Sequence, residues 1–204
     1  MNSASPPLLP LQSRPTLRHD AVRLHGDLAI WIFILAELLV FAVFFGAYAF
    51  ARAGDVEAFT LAQQTLDRDS GAINTALLLT SSYFVVRAVQ QAARADDAAC
   101  ARWLLAAMAC GAGFVFMKSL EFLAKYDQGI SLSSDTFHMF YLSLTFFHFM
   151  HVLLGLVILA VLWMKAHTGV WSPDAMNGLE SGAAYWHMVD LVWLVLFPLV
   201  YLMH

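Results

Sequence analysis

Ionisable side chains interrupt several apolar stretches of this sequence. His148 and His151 lie three positions apart in LSLTFFHFMHVLLGL, and His187 and Asp190 have the same spacing in AYWHMVDLVWL. Residues three apart share a helix face, so each pair could offer two ligands to a metal or pass a proton. Glu37 stands alone in LAIWIFILAELLVF. An ionisable group in an apolar segment is costly unless it is paired, protonated or turned towards protein, so Glu37 requires a partner.

These residues do not make up a complete metal or haem site. Zinc requires three or four ligands, and haem requires an axial ligand in a roomy pocket. Their order and spacing also differ from the dense histidine pattern of membrane di-iron enzymes. We therefore expect no metal, and instead an intramembrane polar cluster with a structural or proton-related role, whose members bond to one another or to a neighbouring subunit. The predicted cluster consists of Glu37, His148, His151, His187 and Asp190.

A second polar pair occurs in the segment FVFMKSLEFLAKYD. Lys118 and Glu121 are three residues apart, a spacing at which opposite charges meet on a helix. We predict an ion pair that neutralises both charges and serves structure rather than catalysis.

The composition places these residues in a membrane. Hydrophobic residues make up 60% of the 204 residues and charged residues only 13%, and the mean hydropathy is +0.67. An ordinary soluble domain of this length is less apolar and more highly charged. The charged residues cluster between apolar runs and form no basic stripe, which excludes nucleic acid as a partner.

Five apolar stretches are long enough to cross roughly 30 Å of hydrocarbon, which takes about 20 helical residues. We predict an all-α, polytopic membrane bundle at residues 26–204, preceded by a flexible cytoplasmic tail at residues 1–25. The loop RAGDVEAFTLAQQTLDRDSG is expected to hold a short surface helix, and the loop HTGVWSPDAMNGLESG is expected to be turn-rich. The predicted transmembrane helices are Leu28–Phe50, Ile73–Ala93, Trp103–Leu123, Phe137–Trp163 and Ala183–Met203.

The distribution of basic residues predicts the orientation, because cytoplasmic loops carry an excess of Lys and Arg. It predicts a cytoplasmic N-terminus and a C-terminus outside. The residues on the predicted cytoplasmic side are Arg14, Arg18, Arg23, Arg87, Arg94, Arg102 and Lys165; those on the other side are Arg52, Arg68 and Lys125.

Four segments, in order along the chain, resemble subunit III of the haem–copper oxidase superfamily, the cytochrome c oxidase subunit 3-like family. Longer members have seven spans, and this sequence is similar to five-span bacterial members. The matching positions are Glu37 in FILAELLVF; Asn74, Thr75, Ser81 and Ser82 in NTALLLTSS; His148, His151, Val152 and Gly155 in FFHFMHVLLG; and Tyr185, Trp186, His187, Asp190 and Trp193 in YWHMVDLVWL.

The resemblance implies a non-catalytic accessory subunit with no redox centre of its own. It would lie beside a haem-bearing catalytic subunit in a bacterial inner membrane and support stability or proton uptake in electron transport. Bound phospholipid is also compatible with the family. The phrases HGDLAIWIFILAEL, GLESGAAYWHMVDLVW and LFPLVYLM are most similar to the NorE-type branch, which is associated with nitric oxide reductase. The alternative is subunit III of an aerobic quinol or cytochrome c oxidase. A self-contained membrane metalloenzyme and a transporter are weaker alternatives.

Overall fold

The computed structural model describes residues 28–168 and 173–203, and every regular element in these ranges is helical. The predicted tail at residues 1–25 lies outside the described residues. A π-helical turn, Pro198–Leu202, follows the last helix. The helices are α1 Leu28–Gly54, α2 Val56–Gln63, α3 Arg68–Ala92, α4 Asp97–Asp127, α5 Thr136–His167 and α6 Pro173–Phe197.

Five of the helical segments in the described ranges are long and apolar enough to span a membrane, which confirms the predicted all-α bundle. The fifth segment runs from Met176 through the π-helical turn to Leu202. The short helix α2 confirms the helix predicted in the loop after the first span. It is not merely a surface helix, because Phe59 and Gln63 are buried.

Aspartate side chains begin four of the helices. The Asp55 carboxylate accepts a hydrogen bond from the backbone of α2, Asp67 from α3, Asp96 from α4 and Asp135 from α5. Each carboxylate satisfies backbone N–H groups that have no partner within the helix. These caps place the starts of the helices in the loops rather than inside the apolar spans.

The loop before the last span differs from the prediction. Residues 173–182 were expected to be turn-rich, but α6 already begins at Pro173. Proline suits the first helical position, because its fixed φ is helical and its missing N–H would have had no partner there. The last helix therefore begins about three turns before the predicted apolar span.

The helix α6 lies at the centre of the bundle. It packs against α5, α3 and α1, while α4 packs against α3 and α5. Its span is the most buried of the five, and that of α1 is the least buried. We call the end of the bundle where α1 begins the proximal end and the end where α1 finishes the distal end.

Two glycines allow α6 to approach its neighbours closely. A Cβ atom on Gly155 of α5 would lie 2.7 Å from the ring of Trp186, and one on Gly111 of α4 would lie 2.9 Å from the same ring. Trp186 is only 1% exposed. Its indole thus occupies space that any larger residue at either position would fill.

At the distal end, side chains from α1 and α2 hold the π-helical turn. The Gln63 amide donates to the carbonyl oxygens of Leu199 and Val200 at 3.3 and 3.0 Å. The Arg52 guanidinium donates to the carbonyl of Met203 at 3.0 Å. The last carbonyl groups of a helix have no partner within it, so those of Leu199, Val200 and Met203 gain donors from other helices.

Candidate functional site: the intramembrane polar side chains

Glu37 pairs with a histidine of another span. Its Oε2 lies 3.1 Å from Nε2 of His151. The other ring nitrogen, Nδ1, lies 2.8 Å from the backbone carbonyl oxygen of Phe147. A carbonyl only accepts, so Nδ1 carries a proton, and a neutral ring then has a bare Nε2. The contact with Glu37 requires one further proton, either on the carboxyl group or on Nε2. The Glu37–His151 pair is therefore a proton-holding site.

His148 is separate from this pair. Its side chain is fully buried, and neither ring nitrogen has a hydrogen-bond partner among the described residues. The ring contacts Phe41, Phe114 and Trp193 instead. Three residues along a helix leave a rotation of about 60° between side chains. This offset is enough to turn His151 towards Glu37 of α1 while His148 faces the aromatic core.

His187 and Asp190 form another site, on α6. Nδ1 of His187 lies 2.5 Å from the hydroxyl oxygen of Ser82 and 3.9 Å from Oδ2 of Asp190. Only the first distance is that of a hydrogen bond. The His187 side chain remains 38% exposed, whereas that of Asp190 is 11% exposed. The residues of the predicted cluster thus divide into two sites and one isolated histidine, rather than one continuous hydrogen-bonded group.

The predicted ion pair between Lys118 and Glu121 is confirmed, with 3.0 Å between Nζ and Oε2. Two tyrosines complete it. Tyr201 accepts from Lys118 Nζ at 2.6 Å and donates to Oε1 of Glu121 at 2.7 Å. Tyr141 donates to the same carboxylate oxygen. Four aromatic rings also lie 5.2–5.6 Å from Nζ, those of Phe122, Tyr141, Trp193 and Tyr201.

Sequence reasoning missed Tyr141 and Tyr201. They belong to the fourth and fifth spans, and no local spacing relates them to Glu121. The usable signal is weaker: a tyrosine buried in a span needs a partner for its hydroxyl group. Depth along the span then restricts which polar residues can supply that partner.

Several residues of the resemblance motifs connect α6 to its neighbours. The indole Nε1 of Trp193 donates to the Thr75 hydroxyl of α3 at 2.9 Å, and the Tyr185 hydroxyl donates to the His151 carbonyl of α5 at 3.3 Å. Asn74 is fully buried, and its amide has no partner among the described residues. These positions therefore act in helix packing.

The polar side chains described above can hold protons and form hydrogen bonds within the bundle. Within residues 28–168 and 173–203, no three His, Cys, Asp or Glu side chains are grouped so that they could hold a metal ion.

Five apolar spans whose interior polar groups bond mainly to one another define a polytopic membrane protein. Residues 17–204 match the sequence model of the family described as cytochrome c oxidase subunit III, and the chain belongs to that family.

Individual relatives agree with this assignment. The chain is 32% identical over 191 residues to cytochrome c oxidase subunit 3 of Thermostichus vulcanus, covering 90% of this chain and 92% of the relative. It is 28% identical over 176 residues to quinol oxidase subunit 3 of Bacillus subtilis strain 168, covering 86% of both chains. It is 31% identical over 199 residues to the probable cytochrome c oxidase subunit 3 of Rickettsia felis, covering 89% of this chain and 69% of the relative.

Proposed function

We propose that this chain is a non-catalytic accessory membrane subunit of a respiratory complex of the haem–copper oxidase superfamily. The observation that carries the proposal is the family match over residues 17–204. The structure is compatible with it, because Lys118, Glu121 and Glu37 bond to other protein groups within the bundle. Haem in the complex would belong to the catalytic partner.

We further propose that the catalytic partner is a nitric oxide reductase. The support is the similarity of HGDLAIWIFILAEL, GLESGAAYWHMVDLVW and LFPLVYLM to the NorE-type branch of the family. These segments include the start of the first span and most of the last span. They contain Glu37 and the His187–Asp190 site. The proposed branch thus rests on segments that carry part of the polar chemistry.

A second candidate is an aerobic oxidase as the partner. It is favoured by the names of the relatives, which are subunits of cytochrome c and quinol oxidases. Both candidates require the same role from this chain, that of a subunit beside a haem-bearing one. They differ in the electron acceptor of the complex, nitric oxide or oxygen.

The proposed contribution of this chain is stability or proton uptake, through the Glu37–His151 pair. The Glu37 side chain is 21% exposed and belongs to the least buried span, so a partner subunit could reach it. We propose that the chain lies in a bacterial inner membrane, that its proximal end faces the cytoplasm and that it binds phospholipid. If the pair supplies protons, Glu37→Gln shifts the pH profile of turnover; an unchanged profile contradicts the proton role.

The partner can be identified by purifying the affinity-tagged chain from its own membranes after mild solubilisation. Companions are identified by peptide mass spectrometry, and the preparation is assayed for nitric oxide and oxygen consumption. We expect a haem-bearing companion with b-type haems only and consumption of nitric oxide. A companion that consumes only oxygen supports the oxidase candidate. Purification without any haem-bearing companion contradicts both.

A further inference from the structure

The face of α3 that points away from the bundle is unlike the outward faces of other spans. In the central turns of α1 and α5 the exposed residues are apolar, which suits contact with lipid chains. They include Ile32, Leu35, Leu39 and Val43 on α1, and Phe146, Met150, Leu154 and Val157 on α5. On α3, the least apolar of the five spans, polar side chains recur at intervals of three and four residues. Two helices pack along a seam with this repeat. We call the following residues the α3 stripe: Ala76, Thr80, Tyr83, Arg87 and Gln90.

The α3 stripe has unused hydrogen-bonding capacity inside the membrane. Thr80 is exposed and lies at the middle of α3, and its hydroxyl has no hydrogen-bond partner among the described residues. Lipid chains cannot supply the hydrogen bonds that water would provide. A neighbouring helix can, because hydroxyl and amide side chains bond across helix pairs in membranes. The stripe therefore favours a protein neighbour over lipid chains.

Arg87 is a cation in this stripe that lacks an anion among the described residues. Its Nη1 donates to the Tyr83 hydroxyl at 3.4 Å, and its guanidinium carbon lies 5.3 Å from the centre of the Trp103 ring. Nε and Nη2 have no hydrogen-bond partner in the described part of the chain. The face of an aromatic ring offsets only part of the cost of a charge in a membrane. Arg87 consequently requires an anion that the described residues do not supply.

Arg87 and Tyr83 together form a site for a carboxylate. The terminal nitrogens of a guanidinium can bind both oxygens of a carboxylate at once. The Tyr83 oxygen accepts from Arg87, so the proton of the Tyr83 hydroxyl is free to be donated to the same anion. The exposed Tyr83 side chain lies on the outward side of α3. An anion bound there would therefore come from a molecule beside α3.

The direction of the Arg87 side chain favours a carboxylate on a helix over a lipid phosphate. Arg87 lies five residues before the end of α3, about 7.5 Å from the proximal end. Side chains of a helix lean towards its N-terminus, and α3 runs from the distal to the proximal end. The guanidinium accordingly contacts Tyr83, one turn deeper in the membrane, instead of extending to the proximal headgroups. An acidic side chain of an adjacent span can reach that depth without leaving its own helix.

We propose that a transmembrane helix of the haem-bearing partner docks on the α3 stripe, and that this helix carries an Asp or Glu whose carboxylate binds Arg87 and Tyr83. The proposal rests on the proposed function, which supplies the partner subunit. Ala76 allows close approach of the two helices in the distal half of the seam, and Thr80 can bond across it. Leu79 and Val86, both exposed, flank the stripe and provide apolar contacts.

Co-purification of the complex tests the role of Arg87. The affinity-tagged chain is purified from its own membranes in mild detergent, and haem per tagged chain is measured by absorption spectroscopy. Arg87→Leu should lower this ratio about tenfold, because it leaves the partner carboxylate unpaired in the interface. Arg94→Leu, which removes the same charge from the exposed loop after α3, should leave the ratio unchanged. The thermal unfolding midpoint of each purified variant shows whether it is folded.

A photoreactive amino acid at position 80 locates the partner helix. In the native membrane it should crosslink to a transmembrane peptide of the haem-bearing subunit, and that peptide should contain an Asp or Glu. The same group at position 157, on the outward face of α5, should not crosslink to that peptide. Arg87→Glu should abolish co-purification of haem, and exchange of the partner acid for Arg should restore it.

The outcomes separate this inference from the proposed function. If the wild-type chain purifies without a haem-bearing companion, both are wrong. If the companion is present but folded Arg87→Leu retains as much haem as Arg94→Leu, the docking surface is wrong and the proposed function stands. Crosslinks from position 80 to phospholipid alone, or to another polypeptide than the haem-bearing subunit, likewise overturn the docking surface only.

Discussion

At the residue scale, the polar chemistry of this chain depends on which atoms already hold a proton. His151 uses Nδ1 to donate to its own helix, so its contact with Glu37 requires one additional proton. A carboxyl–imidazole pair of this kind is uncharged or zwitterionic, and either form is far cheaper in a membrane than a lone carboxylate. Removing one partner should consequently cost more than removing both.

This asymmetry gives the first prediction. His151→Leu leaves Glu37 without its partner and should lower the free energy of unfolding by about 3 kcal/mol. The double variant Glu37→Leu with His151→Leu should recover most of that loss, because no polar group remains unpaired. Unfolding of the purified chain in mixed micelles measures both values. If the loss of unfolding free energy in the double variant equals the sum of the losses in the two single variants, the pairing is contradicted.

The second prediction concerns Glu121, which balances a lysine with no exposed surface. Glu121→Gln leaves the Lys118 charge uncompensated and should cost about 3–5 kcal/mol. Tyr141→Phe removes one hydrogen bond to the carboxylate and should cost about 1.5–3 kcal/mol. Ser119→Ala is the control, since among the described residues the Ser119 hydroxyl bonds only to a carbonyl of its own helix. A loss for Glu121→Gln no larger than for the control would contradict the assigned role.

Asp135 provides a pH-dependent test outside the spans. Burial acts to raise the pKa of Asp135, but hydrogen bonds from the backbone and ring of His138 outweigh it and hold the pKa below its ordinary value of 3.8. The stabilisation from this cap is therefore present at neutral pH and is lost as pH falls below the ordinary value and through the lowered pKa.

The third prediction follows from this cap. Asp135→Ala should cost about 1 kcal/mol at pH 7, and the difference from the wild type should shrink on acidification below about pH 4. Asp135→Asn keeps a capping oxygen without an ionisable group. Its stability should change less than that of the wild type in the same acid range. Parallel acid unfolding curves for the wild type and Asp135→Asn would contradict the shifted ionisation.

The residues themselves indicated part of this chemistry. The pairing of Lys118 with Glu121 was predictable because it is local to one helix. It was also predictable that Glu37 needs a partner. That this partner is His151 depends on how α1 packs against α5. Two histidines three apart gave equal candidates, and only the rotation of α5 in the bundle separates His151 from the buried His148.

At the element scale, hydropathy predicted the spans well but underestimated their lengths. The terminal turns of a helix can be rich in polar residues, as the first turns of α6 are. Their hydropathy is then too low for them to be recognised as part of a span, although they are helical. The close contacts of α6 were not predictable either. Gly155 has the same local sequence signal whether it faces lipid or, as here, the indole of Trp186.

The fourth prediction uses two glycines in helix interiors. Gly155→Ala forces its new methyl group against the Trp186 ring and should destabilise the chain by about 1–3 kcal/mol. Gly46→Ala is the matched control, because a Cβ atom added to Gly46 would have no neighbour within 4 Å. It should be neutral or stabilise by about 0.5–1 kcal/mol. Equal effects of the two substitutions would contradict the packing of α5 against α6.

At the scale of the whole molecule, the charges inside the bundle serve its assembly. The Glu37–His151 pair connects α1 with α5, and the Lys118–Glu121 ion pair neutralises charge within α4. Hydrogen bonds from Tyr201 and Trp193 connect the last span to α4 and α3. The least buried span, α1, leaves an apolar face for lipid or another subunit. This arrangement fits the proposed role of a subunit that contributes structure to a complex while another subunit carries the redox chemistry.

The most direct test of that claim is where the haem and metal of the complex reside. The complex is purified with the tagged chain, dissociated in a stronger detergent and separated into its subunits. Haem is measured by absorption spectroscopy and metal by mass spectrometry. We predict that haem and metal stay with the catalytic subunit and that the separated chain holds neither in stoichiometric amount. Stoichiometric haem or metal on the separated chain, lost in His148→Ala or His151→Ala, would contradict it.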